Sequence, residues 1–184
     1  KVLEFNCRFG DPETQPILLR LRSSLVDLCL AAIKNDLDSF EIEWTDKHSC
    51  GVVIASEGYP ESYESNKEVI LPEHEEAETK LFHAGTKLVD GKVLTSGGRV
   101  FCATALGDSL KEAQSKAYNL VDKVSFGGAF CRRDISCLQS QTTGGPPTLI
   151  ATIRPSQTQV TAYQFLPRGL GNVVRPRWCE PYQC

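Results

Sequence analysis

The sequence contains no methionine, although its 184 residues begin at Lys1. A reading frame starts with Met, so the chain is expected to be a processed or partial product holding only part of a site. It has no uninterrupted apolar run of about 18 residues, the length a membrane-crossing helix needs, and no charged-then-apolar secretory leader. No membrane partner is expected. Surplus basic charge is missing too: 20 Lys+Arg against 23 Asp+Glu leave a net charge of −3, which argues against a general nucleic-acid binder. Among the eight cysteines (7, 29, 50, 102, 131, 137, 179 and 184) there is no C-x-x-C pair and no His at zinc-ligand spacing. Neither a zinc site nor a disulfide framework is expected. SLVDLCLAA and RVFCATA place Cys where it acts as a small hydrophobe, which suits a reducing compartment.

What is present is an ordinary globular composition, 41% hydrophobic and 23% charged, unevenly distributed. Residues 1–136 hold 16 Lys+Arg and 22 Asp+Glu, a net −6. Residues 137–184 hold four Arg, no Lys, one acid (Glu180) and six of the ten prolines. In that tail only TLIATI and VTAYQFL read as short strands. The rest has no sustained period and is broken by Pro and Gly, so a flexible extension without its own core is expected.

The hydrophobic pattern divides the remainder. VLEFNCRF (2–9) alternates strictly, with Leu3, Phe5, Cys7 and Phe9 on one face and Glu4, Asn6 and Arg8 on the other, the mark of a half-buried strand. Asp11-Pro12-Glu13 then reads as a helix opening, with Asp11 as N-cap and Pro12 at the first helical position. Ile17, Leu18, Leu21, Leu25, Leu28 and Ala32 recur at helical spacing. The Ser23-Ser24 pair divides them, with Ser23 expected to cap a second helix ending near Asn35. From Cys50 onward the pattern becomes β-rich. GVVIAS (51–56), KLFHAG (80–85), TKLV (86–89), KVLTS (92–96) and RVFCATALG (99–107) read as strands, and Asp90-Gly91 is a two-residue hairpin signal. The acidic run 73–78 reads as a solvated loop or short helix. SLKEAQSKAYNLVDKV (109–124) has a capping box, Ser109 with Glu112, and an apolar stripe of Leu110, Ala113, Ala117, Leu120, Val121 and Val124. Residues 41–136 are thus expected to be α+β, a small antiparallel sheet with a helix packed on it.

The opening strand carries the clearest chemistry. Period 2 sets Glu4, Asn6 and Arg8 about 6–7 Å apart in succession on one face. A carboxylate and an amide oxygen are hard donors of the kind Mg²⁺ accepts, and a guanidinium two residues on can steady charge in phosphoryl transfer. On spacing alone, a solvated polar face is the commoner reading of such a strand. Asn is disfavoured in strands, which leans toward function.

RFGDPETQ (8–15) resembles the signature of the phosphoribosylamine–glycine ligases, also called glycinamide ribonucleotide synthetases. KVLEFNC before it, GVVIASEGYP (51–60), FHAGTKL (82–88), GGRV (97–100) and FCRRDI (130–135) are similar to that family in unbroken order, covering about residues 1–135. The resemblance implies the end of an ATP-grasp domain over 1–40, a small C-terminal domain of rudimentary single-hybrid type over 41–136, and a tail over 137–184 foreign to the family. It implies a ligase joining glycine to 5-phosphoribosylamine, with ATP passing to ADP and phosphate through a glycyl phosphate, in purine (IMP) biosynthesis. Glu4 and Asn6 match the family's ligands for Mg²⁺ or Mn²⁺, and Arg8 matches the arginine of its R-F-G motif and is assigned here to transition-state charge. Asp11 and Glu13 lie in the motif and are candidates for the ammonium of glycine; helix capping explains Asp11 equally. Gly98 and Arg99 are candidates for the ribose phosphate. The upstream nucleotide-binding residues are absent, so the chain alone is expected to be inactive. A cytoplasmic location is implied, a plastid being compatible as well. The alternatives are another ATP-grasp carboxylate–amine ligase, against which the extended RFGDPETQ block speaks, and a non-catalytic truncated product.

His83 is read either as facing the cavity or as a satisfied structural histidine, whereas His48 and His74 are expected at the surface. Trp44 and Trp178 receive no chemistry. GGPP (144–147) lacks the Lys-Ser/Thr ending and strand-to-helix setting of a phosphate loop.

Overall fold

The computed structural model of the chain describes residues 8–133, 135, 148–151 and 161–163. The expected opening strand lies outside the described residues through position 7, and with it Glu4 and Asn6.

Two long strands organise the rest. β1 (His48–Ser56) and β5 (Arg99–Gly107) pair antiparallel, and almost every residue of both is buried. A strand buried on both faces loses the polar–apolar alternation and reads as a continuous apolar run, which is how GVVIAS and RVFCATALG stand out in the sequence. β2 (Thr79–His83) pairs with the outer edge of β5. β3 (Thr86–Val89) and β4 (Lys92–Thr95) form a separate hairpin, whose Asp90 and Gly91 both take positive φ, 50° and 77°. Two such residues make the tight turn that suits twisted strands, and the Asp-Gly expectation holds.

α3 (Leu110–Val121) packs across one face of the sheet. Ser109 Oγ accepts from Glu112 N at 3.1 Å, as the capping box requires. In return the Glu112 carboxylate accepts from Asp108 N at 2.8 Å, one residue earlier than in the standard box. Ala113, Ala117, Leu120 and Val121 point into a core with Cys50, Val52, Ile54, Phe101, Ala103 and Ala105. The chain then returns as β6 (Ala129–Phe130) beside the end of β1. Tyr118 fixes this return: its hydroxyl donates to Arg132 O at 2.9 Å and accepts from Ile135 N at 3.2 Å. The α+β expectation for this region is met.

The opposite face of the sheet is covered by the segment around α1 (Thr14–Arg20), where Pro12, Pro16 and Ile17 are buried. Pro16 lies so close to β1 that a Cβ on Gly51 would sit 3.4 Å from its ring. This helix starts later than the sequence suggests. Glu13 occupies the N-cap position with no side-chain cap bond, and Thr14 Oγ1 donates to Gly10 O at 2.6 Å instead. Asp11 is not the cap, because its carboxylate is engaged elsewhere, as described below. In α2 (Leu25–Ile33) the capping hydroxyl belongs to Ser24, which accepts from Asp27 N at 3.2 Å. Ser23 accepts from Glu43 N at 2.7 Å and so ties the segment after α2 back to its start. The apolar stripe expected to run through Leu25, Leu28 and Ala32 is not buried: no residue of α2 is, and Ile33 is 77% exposed. On this face it is α1 that packs on β1 and β5.

β7 (Thr148–Ala151) and β8 (Thr161–Tyr163) extend the sheet beyond β1, with β7 parallel to β1 and β8 antiparallel to β7. They correspond to the two tail runs read as strands. The parallel pairing is the one departure from an all-antiparallel sheet among the described strands. The rest of the tail lies outside the described residues.

Candidate functional site

The sequence-predicted residues that are described gather where the segment before α1 meets the start of β5. Gly97 and Gly98 form the turn into β5, and its backbone is held by three hydrogen bonds from Ser56 and Gly85. Ser56 N donates to Gly98 O at 2.8 Å and Ser56 Oγ to Gly97 O at 3.3 Å. Gly85 N donates to Arg99 O at 2.8 Å. A Cβ on Gly85 would come within 2.7 Å of Gly97 Cα, so the two glycines are needed for the chains to approach this closely.

Arg99 leaves this turn toward α1. Its Nη2 lies 3.0 Å from Asp11 Oδ2 and its Nη1 donates to Asp11 O at 3.1 Å. The pair joins residues 88 apart in sequence and spans from the RFGDPE block to the GGRV block. Charge-assisted, two-point contacts of this kind fix orientation as well as proximity. With its side chain 29% exposed, Arg99 keeps access to solvent.

The other candidates have more local engagements. Arg8 is exposed and donates to the neighbouring Phe9 O at 3.1 Å. Glu13 folds back over Gly10, whose missing Cβ makes room for the carboxylate. Above Gly98 the space is filled by Tyr59 and Tyr63, and a Cβ there would run into the Tyr59 ring and come within 2.9 Å of Tyr63 Cε1. The structure therefore brings Asp11, Gly98 and Arg99 together, while Arg8 and Glu13 lie on the adjoining turn without touching them.

Of the histidines, His83 is exposed, packs edge-on against Phe101 with centroids 4.9 Å apart, and shares a 3.0 Å hydrogen bond with Thr86 Oγ1. His74 is exposed as expected. His48 is not a surface residue: it opens β1 half-buried, its Nδ1 is enclosed, and burial, with Arg20 nearby, pushes its pKa down. Arg20 is buried and donates from Nη2 to Thr45 O at 3.3 Å.

Sequence reasoning missed Tyr59, Tyr63 and Ser56. All three reach the glycine turn from a stretch distant in sequence, Ser56 from the end of β1 and the tyrosines from the loop after it, and no local pattern reveals that. At the far end of the sheet lies a second unforeseen cluster. The carboxylate of Glu78 accepts from both Lys47 and Lys116, which hold it down at about 2. Glu112 shares Lys116 at 2.8 Å, and Asp108 shares Lys47 at 3.1 Å. The run 73–78 is a loop, as one of the two expectations had it, and its acids clamp lysines of other elements.

The proposed metal ligands Glu4 and Asn6 lie outside the described residues. Their oxygen donors suit a hard cation such as Mg²⁺ or Mn²⁺. Among the described residues no group of three or more His, Cys, Asp or Glu is placed to hold a metal ion. Cys29, Cys50, Cys102 and Cys131 are free thiols. No helix among the described residues is long and apolar enough to cross a membrane.

Residues 49–137 match the family model described as phosphoribosylglycinamide synthetase, C domain. Over 137 residues the chain is 59% identical to the phosphoribosylamine–glycine ligase of Salmonella typhimurium, 56% to that of Vibrio cholerae and 54% to that of Escherichia coli K12. Each match covers 73% of this chain and 32% of the relative, so the chain spans about a third of the length of these relatives. The crystal structure of phosphoribosylamine–glycine ligase from Thermotoga maritima is similar at a TM-score of 0.57 and 35% identity, covering 73% of this chain and 33% of that one. Residues 49–137 of this chain thus form a domain similar to the C domain of the phosphoribosylglycinamide synthetases.

Proposed function

We propose that the chain supplies the C-terminal part of a phosphoribosylamine–glycine ligase. The observation that carries this reading is the 54–59% identity over 137 residues, too long a stretch to reflect a shared fold alone. In the proposed reaction the carboxylate of glycine attacks the γ-phosphorus of ATP and releases ADP. The amine of 5-phosphoribosylamine then attacks the glycyl carbonyl, and phosphate leaves as glycinamide ribonucleotide forms, a step toward IMP. Within this reading residues 1–40 complete the ATP-grasp domain, 41–136 form the C domain, and 137–184 are foreign to the family although β7 and β8 add to the sheet. The setting would be cytoplasmic.

The chain's own residues have separable tasks. Two anions, ATP and glycine, must meet, and their repulsion opposes the first step. Glu4 and Asn6 would hold Mg²⁺ or Mn²⁺, which when bound offsets phosphate charge. Arg8, exposed on the turn before α1, would donate to oxygens of the transferring phosphoryl group as negative charge builds there. Arg99 would take the phosphate of the ribose substrate, with Gly98 setting the turn that presents it. Glu13, beside Gly10, is assigned to the ammonium of glycine.

A hybrid ligase tests this, with this chain's residues replacing the matching third of the E. coli enzyme. Substituting Glu4→Ala or Asn6→Ala in the hybrid should raise the Mg²⁺ or Mn²⁺ concentration needed for turnover and lower its maximum. Unchanged metal dependence in both variants would reject the ligand assignment.

A further inference from the structure

Arg99 should not point where it does. In the β1–β5 ladder Ile54 faces Phe101 while Ala55 faces Arg99, so one step along β1 corresponds to two along β5. The extra residue is Val100. Both Val100 and Phe101, neighbours in sequence, are fully buried in the core under α3. Strict alternation would send Arg99 to the same side as Phe101. The bulge reverses the parity, so Arg99 emerges on the side of Cys102 and α1, where Asp11 waits. Bulges commonly re-aim a side chain beside a functional site.

Asp11 completes the device with two acceptors from one residue, its carboxylate at 3.0 Å and its carbonyl at 3.1 Å. The carbonyl accepts one N–H of Nη1, and the carboxylate forms an ion pair with Nη2. The Nε–H and one further N–H on each Nη remain for another acceptor. Resting on the reading of Arg99 as a phosphate ligand, we infer that Asp11 is the positioning residue for Arg99: carboxylate and bulge together hold the guanidinium in its phosphate-binding orientation. This role replaces the ammonium-binding one for Asp11.

The sign of one substitution separates positioning from simple charge. If Asp11 only neutralised Arg99, then Asp11→Asn would free positive charge and tighten binding of an anion. If Asp11 positions Arg99, its loss leaves a long side chain to be ordered by the ligand, weakening binding by roughly three- to tenfold. The test uses the 184-residue chain with ¹⁵N-labelled arginine and ribose 5-phosphate as probe. In the unsubstituted chain the Arg99 guanidinium should show slow rotation about its Cζ–Nε bond, and its Nε–H signal should shift on titration. Asp11→Asn should speed that rotation and weaken ribose 5-phosphate binding, Asp11→Glu should restore part of both, and all variants should keep the parent's melting temperature. Equal rotation with and without Asp11, or tighter binding by Asp11→Asn, overturns the positioning role. Arg99→Lys should lose roughly tenfold or more in affinity. If slow rotation is seen but Arg99→Lys binds the probe as well as the parent, the phosphate role of Arg99 fails instead, and the inference fails with it.

Discussion

Gly107 ends β5 beneath the first turn of α3, and replacing it with alanine tests how tightly helix and sheet are locked. A Cβ built there would stand 2.5 Å from Ala113 N and 3.0 Å from Glu112 C, both backbone atoms that cannot swing aside. Gly107 does not have a positive φ, so the substitution carries no penalty of backbone conformation and its whole cost is steric. Relief requires α3 to lift by several tenths of an ångström. That lift would loosen Ala113, Ala117, Leu120 and Val121, all buried against the sheet. Overpacking of this kind costs about 1–3 kcal/mol, and the rigid backbone puts Gly107→Ala at the upper end. For a domain of this size, about 2–3 kcal/mol lowers the melting temperature by roughly 10–20 °C. Gly91→Ala supplies the contrast. At φ 77° with nothing within 4 Å of its would-be Cβ, it pays only the left-handed penalty, about 1–2 kcal/mol. Thermal unfolding followed by circular dichroism should rank Gly107→Ala below Gly91→Ala. Equal melting temperatures, or the reverse order, would refute the close packing of α3 on β5.

Further outcomes follow from the charged cluster and the thiols. Glu78 is held down at about 2, from an ordinary 4.5, by Lys116 and Lys47. A depressed folded-state pKa means stability that is full above the unfolded value and is lost as pH falls through the folded one. Glu78→Gln should therefore flatten the pH dependence of urea unfolding between about pH 4.5 and 2; an unchanged slope would show that the pair carries no linkage. Burial pushes Cys50 and Cys102 up to about 12, whereas Cys29 is exposed on α2. Iodoacetamide at pH 8 followed by peptide mass mapping should modify Cys29 in the native chain and the other two only after unfolding. Ser109→Ala should cost about 1 kcal/mol by uncapping α3, read as a lower urea midpoint with an unchanged slope.

The elements were largely legible because their signals are local. The apolar runs of β1 and β5, the Asp-Gly turn and the Ser109–Glu112 cap each depend on residues within a few positions of one another, and each appears in the structure. The misassigned caps at Asp11 and Ser23 have one cause in common. Both side chains are good local caps, but each finds a partner elsewhere in the fold, Arg99 for Asp11 and Glu43 N for Ser23. The same holds for the candidate site. The sequence singled out Asp11, Gly98 and Arg99 separately, yet neither their contact nor the tyrosines over Gly98 could be read from it. The bulge at Val100 depends on strand register, which period-2 patterning assumes to be regular. Two adjacent apolar residues look the same in a bulge as in a strand buried on both faces.

Turnover by the hybrid ligase tests the central claim most directly. With this chain's residues in place of the matching third of the E. coli enzyme, ATP, glycine and 5-phosphoribosylamine should give glycinamide ribonucleotide at a rate within about tenfold of the parent, about 1.4 kcal/mol in barrier. The 184-residue chain by itself should give none. A folded hybrid that binds ATP but forms no product, or product formed by the 184 residues alone, would contradict the account.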